Sequence, residues 1–204
     1  MRRYPLLQIA FSTFALACAF VLVFPHDVRA QNNESTRPVA RLITDNPSYS
    51  RARRGAETSE DVIIAAPGPT LEQANPIERR AFDQTNAERA KNGLPSLRWD
   101  PDLCRMARSQ SERMAKQGYL SHTLDGLRLR DRARAVGIAH YTVLGENIAY
   151  NFGYDDPGAF AVERWMLSPG HRANILEVGF KAMAVGTFVA ADGSVFLTQT
   201  FITR

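Results

Sequence analysis

Apolar residues run unbroken near the start of the chain, then lose any period, then recur at two different spacings. Residues 6–24 are almost wholly apolar. Residues 31–75 mix Asn, Ser, Thr, Pro and both charges with no helical or strand period over any useful window. The one apolar run inside them, residues 62–66, is stopped by Pro67-Gly68-Pro69. Residues 31–75 are therefore expected to be a disordered linker, with a docking strand at 62–66 as the less favoured alternative. From residue 76 the pattern becomes that of a folded domain, 76–204.

That domain opens with helical spacing. Asn75-Pro76-Ile77-Glu78 combines a cap, a proline at the first helical position and a glutamate placed to close a capping box. Ile77, Ala81, Phe82 and Thr85 then share one side until Gly93 ends the helix. Asp100-Pro101 repeats the start signal, and Leu103, Ala107, Gln110 and Met114 make a mostly apolar stripe up to Gly118. Asp125-Gly126 marks a turn, and a short helix is expected at about residues 127–136. Its Arg128, Arg130, Arg132 and Arg134 read best as a solvated face, the alternative being attraction to anionic envelope polymers. Residues 141–144 look like a short strand leading into Gly145-Glu146-Asn147-Ile148-Ala149-Tyr150, and Asp156-Pro157 begins another helix. In the last third the spacing changes. Residues 182–189 and 194–202 are rich in Val, Phe and Thr around Asp192-Gly193, a β-hairpin apolar on both faces. Helices on both sides of such strands predict a helix–sheet–helix sandwich.

Composition changes this picture in three ways. Arg2 and Arg3 before the apolar run, with Val28-Arg29-Ala30 after it, make residues 1–30 an export signal; an uncleaved anchor through residues 5–24 is the alternative. The expected location is secreted or periplasmic, with the membrane involved only if the leader stays. A net charge of +4 without zinc-finger cysteine spacing or aromatic-rich basic repeats argues against nucleic acid. Of the two cysteines Cys18 lies in the leader, so the domain keeps Cys104 alone and must be held by its core. Cys104, Trp99 and Trp165 read as core residues, and His140 as an exposed or structural loop histidine.

The candidate chemistry centres on residues 165–176, Trp-Met-Leu-Ser-Pro-Gly-His-Arg-Ala-Asn-Ile-Leu. Ser168-Pro169 reads as an N-cap followed by proline, which places His171 at the third helical position, where the macrodipole disfavours an imidazolium. A neutral imidazole accepts a proton or binds a metal. Ser168 also invites a Ser–His–acid reading with His171 and Glu146. No Gly-x-Ser-x-Gly elbow surrounds it, and an N-cap serine is expected to accept N–H bonds from its own helix. Asn147 and Asn174 suit the holding of loop backbones, and Arg172 suits pairing with a carboxylate.

Asn86, Arg89 and Gly93, then Ser121-His122 with Asp125-Gly126, then residues 145–149, 165–166, 168–176 and 198–201 occur in an order that resembles the CAP superfamily. That group comprises the cysteine-rich secretory, antigen 5 and pathogenesis-related proteins, also called SCP-like, and the resemblance is to its small bacterial secreted branch. It implies an α+β fold, a three-layer α-β-α sandwich with a central antiparallel β-sheet. It further implies a cleft lined by His122, Glu146 and His171, with Ser168, Asn147, Arg172 and Gln199 around it. The family's second glutamate stands three residues after the tryptophan, where this chain has Ser168, so a His–Glu–His trio replaces the four-residue set. Two imidazoles and a carboxylate suit a divalent cation such as zinc. The structural alternative has each histidine satisfied by a backbone carbonyl and Glu146 pairing with a cap or an arginine. Three functions follow as expectations. One is an exported binding module for a metal or a small envelope ligand (lipid, glycan or peptide). Another is a metal-assisted hydrolase, peptidase or esterase-like, using Glu146, His171 or His122. The third is a structural envelope protein.

Overall fold

In the computed structural model, residues 39–42, 50–51 and 66–204 are described; the leader, and nearly all of the 62–66 run, lie outside them. Two short strands come first, β1 (Val39–Leu42) and β2 (Ser50–Arg51). The helical half follows with α1 (Pro76–Lys91), β3 (Arg98–Trp99), α2 (Pro101–Gln117) and α3 (Leu129–Ala135). Then come β4 (Val143–Phe152), α4 (Pro157–Leu167), α5 (Pro169–Leu176), β5 (Ala182–Val189) and β6 (Val195–Thr203).

The expected hairpin of β5 and β6 forms the middle of one sheet of order β1-β4-β6-β5-β3, with β2 also on β4. Every pairing is antiparallel except that of the edge strand β3, which runs parallel to β5. Strict alternation then sorts side chains into two layers. Met183, Val185, Leu197 and Phe201 pack with Ala81 and Phe82 of α1, Val162 and Trp165 of α4 and Ile175 of α5. Ala182, Ala184, Leu144 and Ile202 face Leu103, Cys104 and Met106 of α2 and Leu129 and Ala133 of α3. The three-layer α-β-α sandwich is the observed fold. It depends on a close approach at Gly186 of β5: a Cβ there would lie 2.1 Å from the backbone nitrogen of Arg108 in α2. No larger residue lets that helix reach the sheet.

The helices start where the caps place them. Asn75 and Glu78 close a reciprocal capping box, and the Asp100 carboxylate accepts from the backbone N–H groups of Asp102 and Leu103. Each such cap stabilises its helix by about 1 kcal/mol. Glu78 also leaves α1 to accept from Arg108 Nε at 2.7 Å and from the Thr187 N–H at 3.0 Å, fastening α1 to α2 and the sheet.

Two boundaries differ from expectation. Residues 39–42 and 50–51 of the stretch read as a linker pair with β4, and residues 66–75 already contact the domain. Trp99 Nε1 donates to the Pro69 carbonyl at 2.9 Å, and Arg105 donates to the Ala66 carbonyl. The upstream pairing follows from the topology: β4 would otherwise be an edge with unpaired N–H and C=O groups, and backbone pairing needs no side-chain period to betray it. Of the short strand expected at 141–144 only residues 143–144 are extended, as the start of the ten-residue β4, which absorbs the whole of residues 145–150.

Candidate functional site

β4 supplies the site. Its alternation points Glu146 to the α2–α3 layer, where His122 meets it, and Asn147 to the α1–α4–α5 layer, where it holds the backbone of His171. His122 comes from the loop after α2. Gln110, buried in the α2 stripe, donates to the Ser121 carbonyl at 2.7 Å and holds that loop. His122 Nδ1 then lies 2.9 Å from Glu146 Oε1. Since the carboxylate accepts, Nδ1 carries a proton, and in the neutral tautomer this selects, Nε2 is the atom that holds the lone pair. The His122 side chain is 18% exposed, and that of Glu146 is fully buried.

What keeps a carboxylate charged there is Arg132. Its guanidinium grips both oxygens, Nη1 to Oε2 at 2.7 Å and Nη2 to Oε1 at 2.9 Å, and Nη2 also donates to the His122 carbonyl at 3.1 Å. Burial alone would push the Glu146 pKa up; the Arg132 charge, with hydrogen bonds from His122 and Arg132, outweighs it and holds the group below the usual carboxylate range. The solvated-face reading of the α3 arginines is thus corrected at one position. Arg132 is buried, and a sequence signal for this existed: it shares the i, i+3, i+4 stripe with Leu129 and Ala133. A charge on an apolar stripe demands a partner.

His171 stands at the third position of α5 and is buried. Its pKa is lowered to about 4, chiefly by burial and further by the charge of His122, so it is neutral at physiological pH. The direction agrees with the one expected from its helix position, but the causes are burial and the neighbouring His122. Ser168 occupies the N-cap without a side-chain bond to the helix backbone. Its hydroxyl instead meets His171 Nδ1 at 2.8 Å. The capping reading of Ser168 is therefore corrected, because an imidazole three residues on offers the hydroxyl a nearer partner. The triad reading fails as well: Glu146 backs His122 rather than His171. His171 Nε2 is enclosed and has no hydrogen-bond partner among the described residues.

The helix carrying His171 is fastened to β4 by amides. Asn174 Nδ2 donates to the Glu146 carbonyl at 3.1 Å and to Asn147 Oδ1 at 2.8 Å. Asn147 Nδ2 donates to the His171 carbonyl at 3.2 Å and to Gln199 Oε1 at 3.0 Å, and Gln199 in turn reaches Thr85 Oγ1 at 2.7 Å. Gln199 belongs to this buried chain of amides rather than to a solvent-facing wall, because it sits on the α1 face of β6. Arg172 is corrected too. It is exposed and reaches the Asn92 side-chain oxygen at 3.4 Å at the end of α1, not a carboxylate of the cleft. Arg89, buried in α1, donates to the carbonyls of Pro95, Ile175 and Glu177, tying the last turn of α5 to α1.

Among the described residues, no group of three His, Cys, Asp or Glu side chains is arranged to hold a metal ion. Glu146 cannot turn to a cation without releasing Arg132, so the trio does not fit as a three-ligand cage. The donors that remain are the two Nε2 atoms of His122 and His171.

A helix–sheet–helix sandwich in which a strand glutamate, a loop histidine and a helix-start histidine are assembled around β4 defines a class as well as a geometry. The sequence profile of the cysteine-rich secretory protein family, CAP, matches residues 82–201, and the chain belongs to that family. Two relatives come from Bacillus subtilis (strain 168). The membrane protein YlbC is 37% identical over 128 residues, 62% of this chain and 34% of its own length. The protein YkwD is 33% identical over 175 residues, 84% of this chain and 64% of its own length. The chain thus spans about a third of the first and just under two thirds of the second. Among solved structures, an extracellular SCP-domain protein from Bacillus anthracis superposes with a TM-score of 0.57 at 32% identity, over 67% of this chain and 45% of that one. An outer surface protein of Borrelia burgdorferi shares the fold, with a TM-score of 0.56 at 18% identity over 62% of this chain and 91% of its own.

Proposed function

We propose that this protein is an exported binding module whose cleft presents the Nε2 atoms of His122 and His171 to a divalent cation such as zinc, or to a small envelope ligand. The observation that carries the reading is the 2.9 Å contact of Glu146 with His122 Nδ1. A carboxylate behind an imidazole fixes its tautomer and raises its basicity, the arrangement that accompanies histidine ligation of metals. The enclosed, unpartnered Nε2 of the neutral His171 supports it, since a buried ring nitrogen without a partner costs about 1–3 kcal/mol unless something satisfies it. Glu146 acts from behind His122 and Arg132 keeps it ionised. A bound cation would supply Lewis acidity and an open position for a ligand atom. Export is supported by the arginine-led apolar leader and by the extracellular SCP-domain protein at 32% identity. Among the described residues no helix is long and apolar enough to cross a membrane.

A second reading, a hydrolase, is favoured by the same His122–Glu146 contact, because a carboxylate-backed imidazole also serves as a general base toward water. The experiment that separates the two measures metal content and zinc-dependent melting of the exported form, alongside peptide and ester turnover. At a hundredfold excess over its dissociation constant, zinc should stabilise the fold by about 2.7 kcal/mol. His122→Ala and His171→Ala should each abolish that gain. A melting point indifferent to zinc removes the metal, and turnover lost in His122→Ala moves the assignment to the hydrolase.

A further inference from the structure

We propose that the hollow between the C-terminal end of α2 and the β5–β6 turn is a second binding site, built for a small organic cation. None of the cleft residues lines it. The hollow has a volume of about 590 Å³, within the range of small-molecule sites. Its walls include Tyr119, Leu120, Tyr150 and Phe196; among the described residues its one carboxylate is Asp192, and no Lys, Arg or His lines it.

The local sequence explains the lining. Gly118 ends α2 in the left-handed conformation, φ 72°, and sends the chain away from the helix axis, leaving Tyr119 51% exposed. Tyr150 lies on the same face of β4 as Glu146 and meets Phe196 of β6 edge to face, with ring centroids 5.0 Å apart. The hydroxyls of Tyr150 and Ser194 lie 3.3 Å apart and are spent on each other. Asp192 accepts from the Ser194 N–H at 2.9 Å, and hydrogen bonds from Ser194 hold its pKa below the usual value, so the carboxylate stays charged. Among the described residues no basic side chain is paired with it.

Aromatic rings beside one unneutralised carboxylate attract an ammonium group, through the ring quadrupoles and through direct charge. A fatty acid would set its own carboxylate against Asp192. A sugar needs several uncommitted hydrogen-bonding groups, and of the three hydroxyls here those of Tyr150 and Ser194 are engaged with each other. A cation on a compact apolar body meets both features at once.

The test titrates the full chain with choline, with its neutral isostere 3,3-dimethylbutan-1-ol and with N-acetylglucosamine, followed by NMR shifts at Tyr119 and Asp192. Choline should saturate the shifts and bind at least tenfold more tightly than the alcohol. Asp192→Asn, which preserves the turn bond to Ser194, should weaken choline at least tenfold, and Tyr119→Ala at least threefold. His122→Ala should leave choline binding unchanged, which separates this site from the cleft. Equal binding of choline and the alcohol would reduce the hollow to an apolar pocket. Tighter binding of the sugar would make it a glycan site, and shifts that never saturate with choline would remove it. Each of these overturns the proposal.

Discussion

Replacing Arg132 with methionine tests the electrostatic frame of the cleft most directly. The substitution keeps the unbranched apolar stem that lies beside Leu129 and Ala133 and removes the charge gripping both Glu146 oxygens. Breaking a fully buried ion pair from one side costs about 3–5 kcal/mol, because the partner charge is left in a low-dielectric interior. For a domain of this size, 1 kcal/mol corresponds to about 3 °C, so melting at pH 7 should fall by about 10–15 °C. The pH dependence should invert. In the natural protein the Glu146 pKa is depressed below the ordinary carboxylate value of 4.5, so its contribution is present above that value and is lost as pH falls through the depressed pKa. Without Arg132, burial dominates and the folded state prefers the protonated acid; the deficit is then largest at neutral pH and shrinks as pH falls toward 4.5. Adding Glu146→Gln removes the stranded charge while keeping a carbonyl to accept from His122, and should restore most of the loss. Thermal melts of the two variants at pH 7.5 and pH 4.5 decide it. A loss under about 1 kcal/mol at pH 7.5, or one that does not shrink in acid, refutes the argument.

Other expectations follow from the same contacts. His171 should titrate near 4 by NMR, and the fold should lose stability as pH falls from about 6.5 toward 4, since its depressed pKa favours the neutral form; His171→Gln should flatten that part of the curve. Arg89→Ala severs bonds to three carbonyls and should cost about 3 kcal/mol in a urea melt, with exchange of amide protons quickening first in α5. The Cys104 thiol, pushed up to about 12 mainly by burial, should resist iodoacetamide in the native protein and react only on unfolding.

The layers of the fold were legible because they rest on local rules. Caps at Asn75, Asp100 and Asp156, the spacing of apolar residues and the turn at Asp192-Gly193 each act within a few residues. The candidate site is approachable only through the family resemblance. His122, Glu146 and His171 were placed by family resemblance, since chain spacing alone joins nothing across 49 positions. An arginine partner for Glu146 is among the alternatives the sequence offers, but Arg132 sits among other arginines that are solvated, and only its helical phase separates it from them. Ser168 was misassigned because a cap position predicts where a hydroxyl starts, not which acceptor or donor competes for it. The contribution of residues 39–42 and 50–51 was illegible, because a strand recruited by a neighbour's backbone needs little from its own sequence.

That recruitment bears on how the domain is handled. Val39–Leu42 covers β4 from Phe152 to Ala149, and Ser50–Arg51 covers it again at Leu144 and Val143. A shortened chain starting at residue 76 would lose the Asn75 cap and the packing of Leu71, and would also bare the flank of the ten-residue strand that carries Glu146 at residues 143–144 and 149–152. Such a flank is a template for a neighbouring molecule, and the truncated domain would tend to zip to its own copies. Residues 39–42 and 50–51 thus act as a built-in chaperone, keeping the strand that carries Glu146 from becoming a seam between molecules.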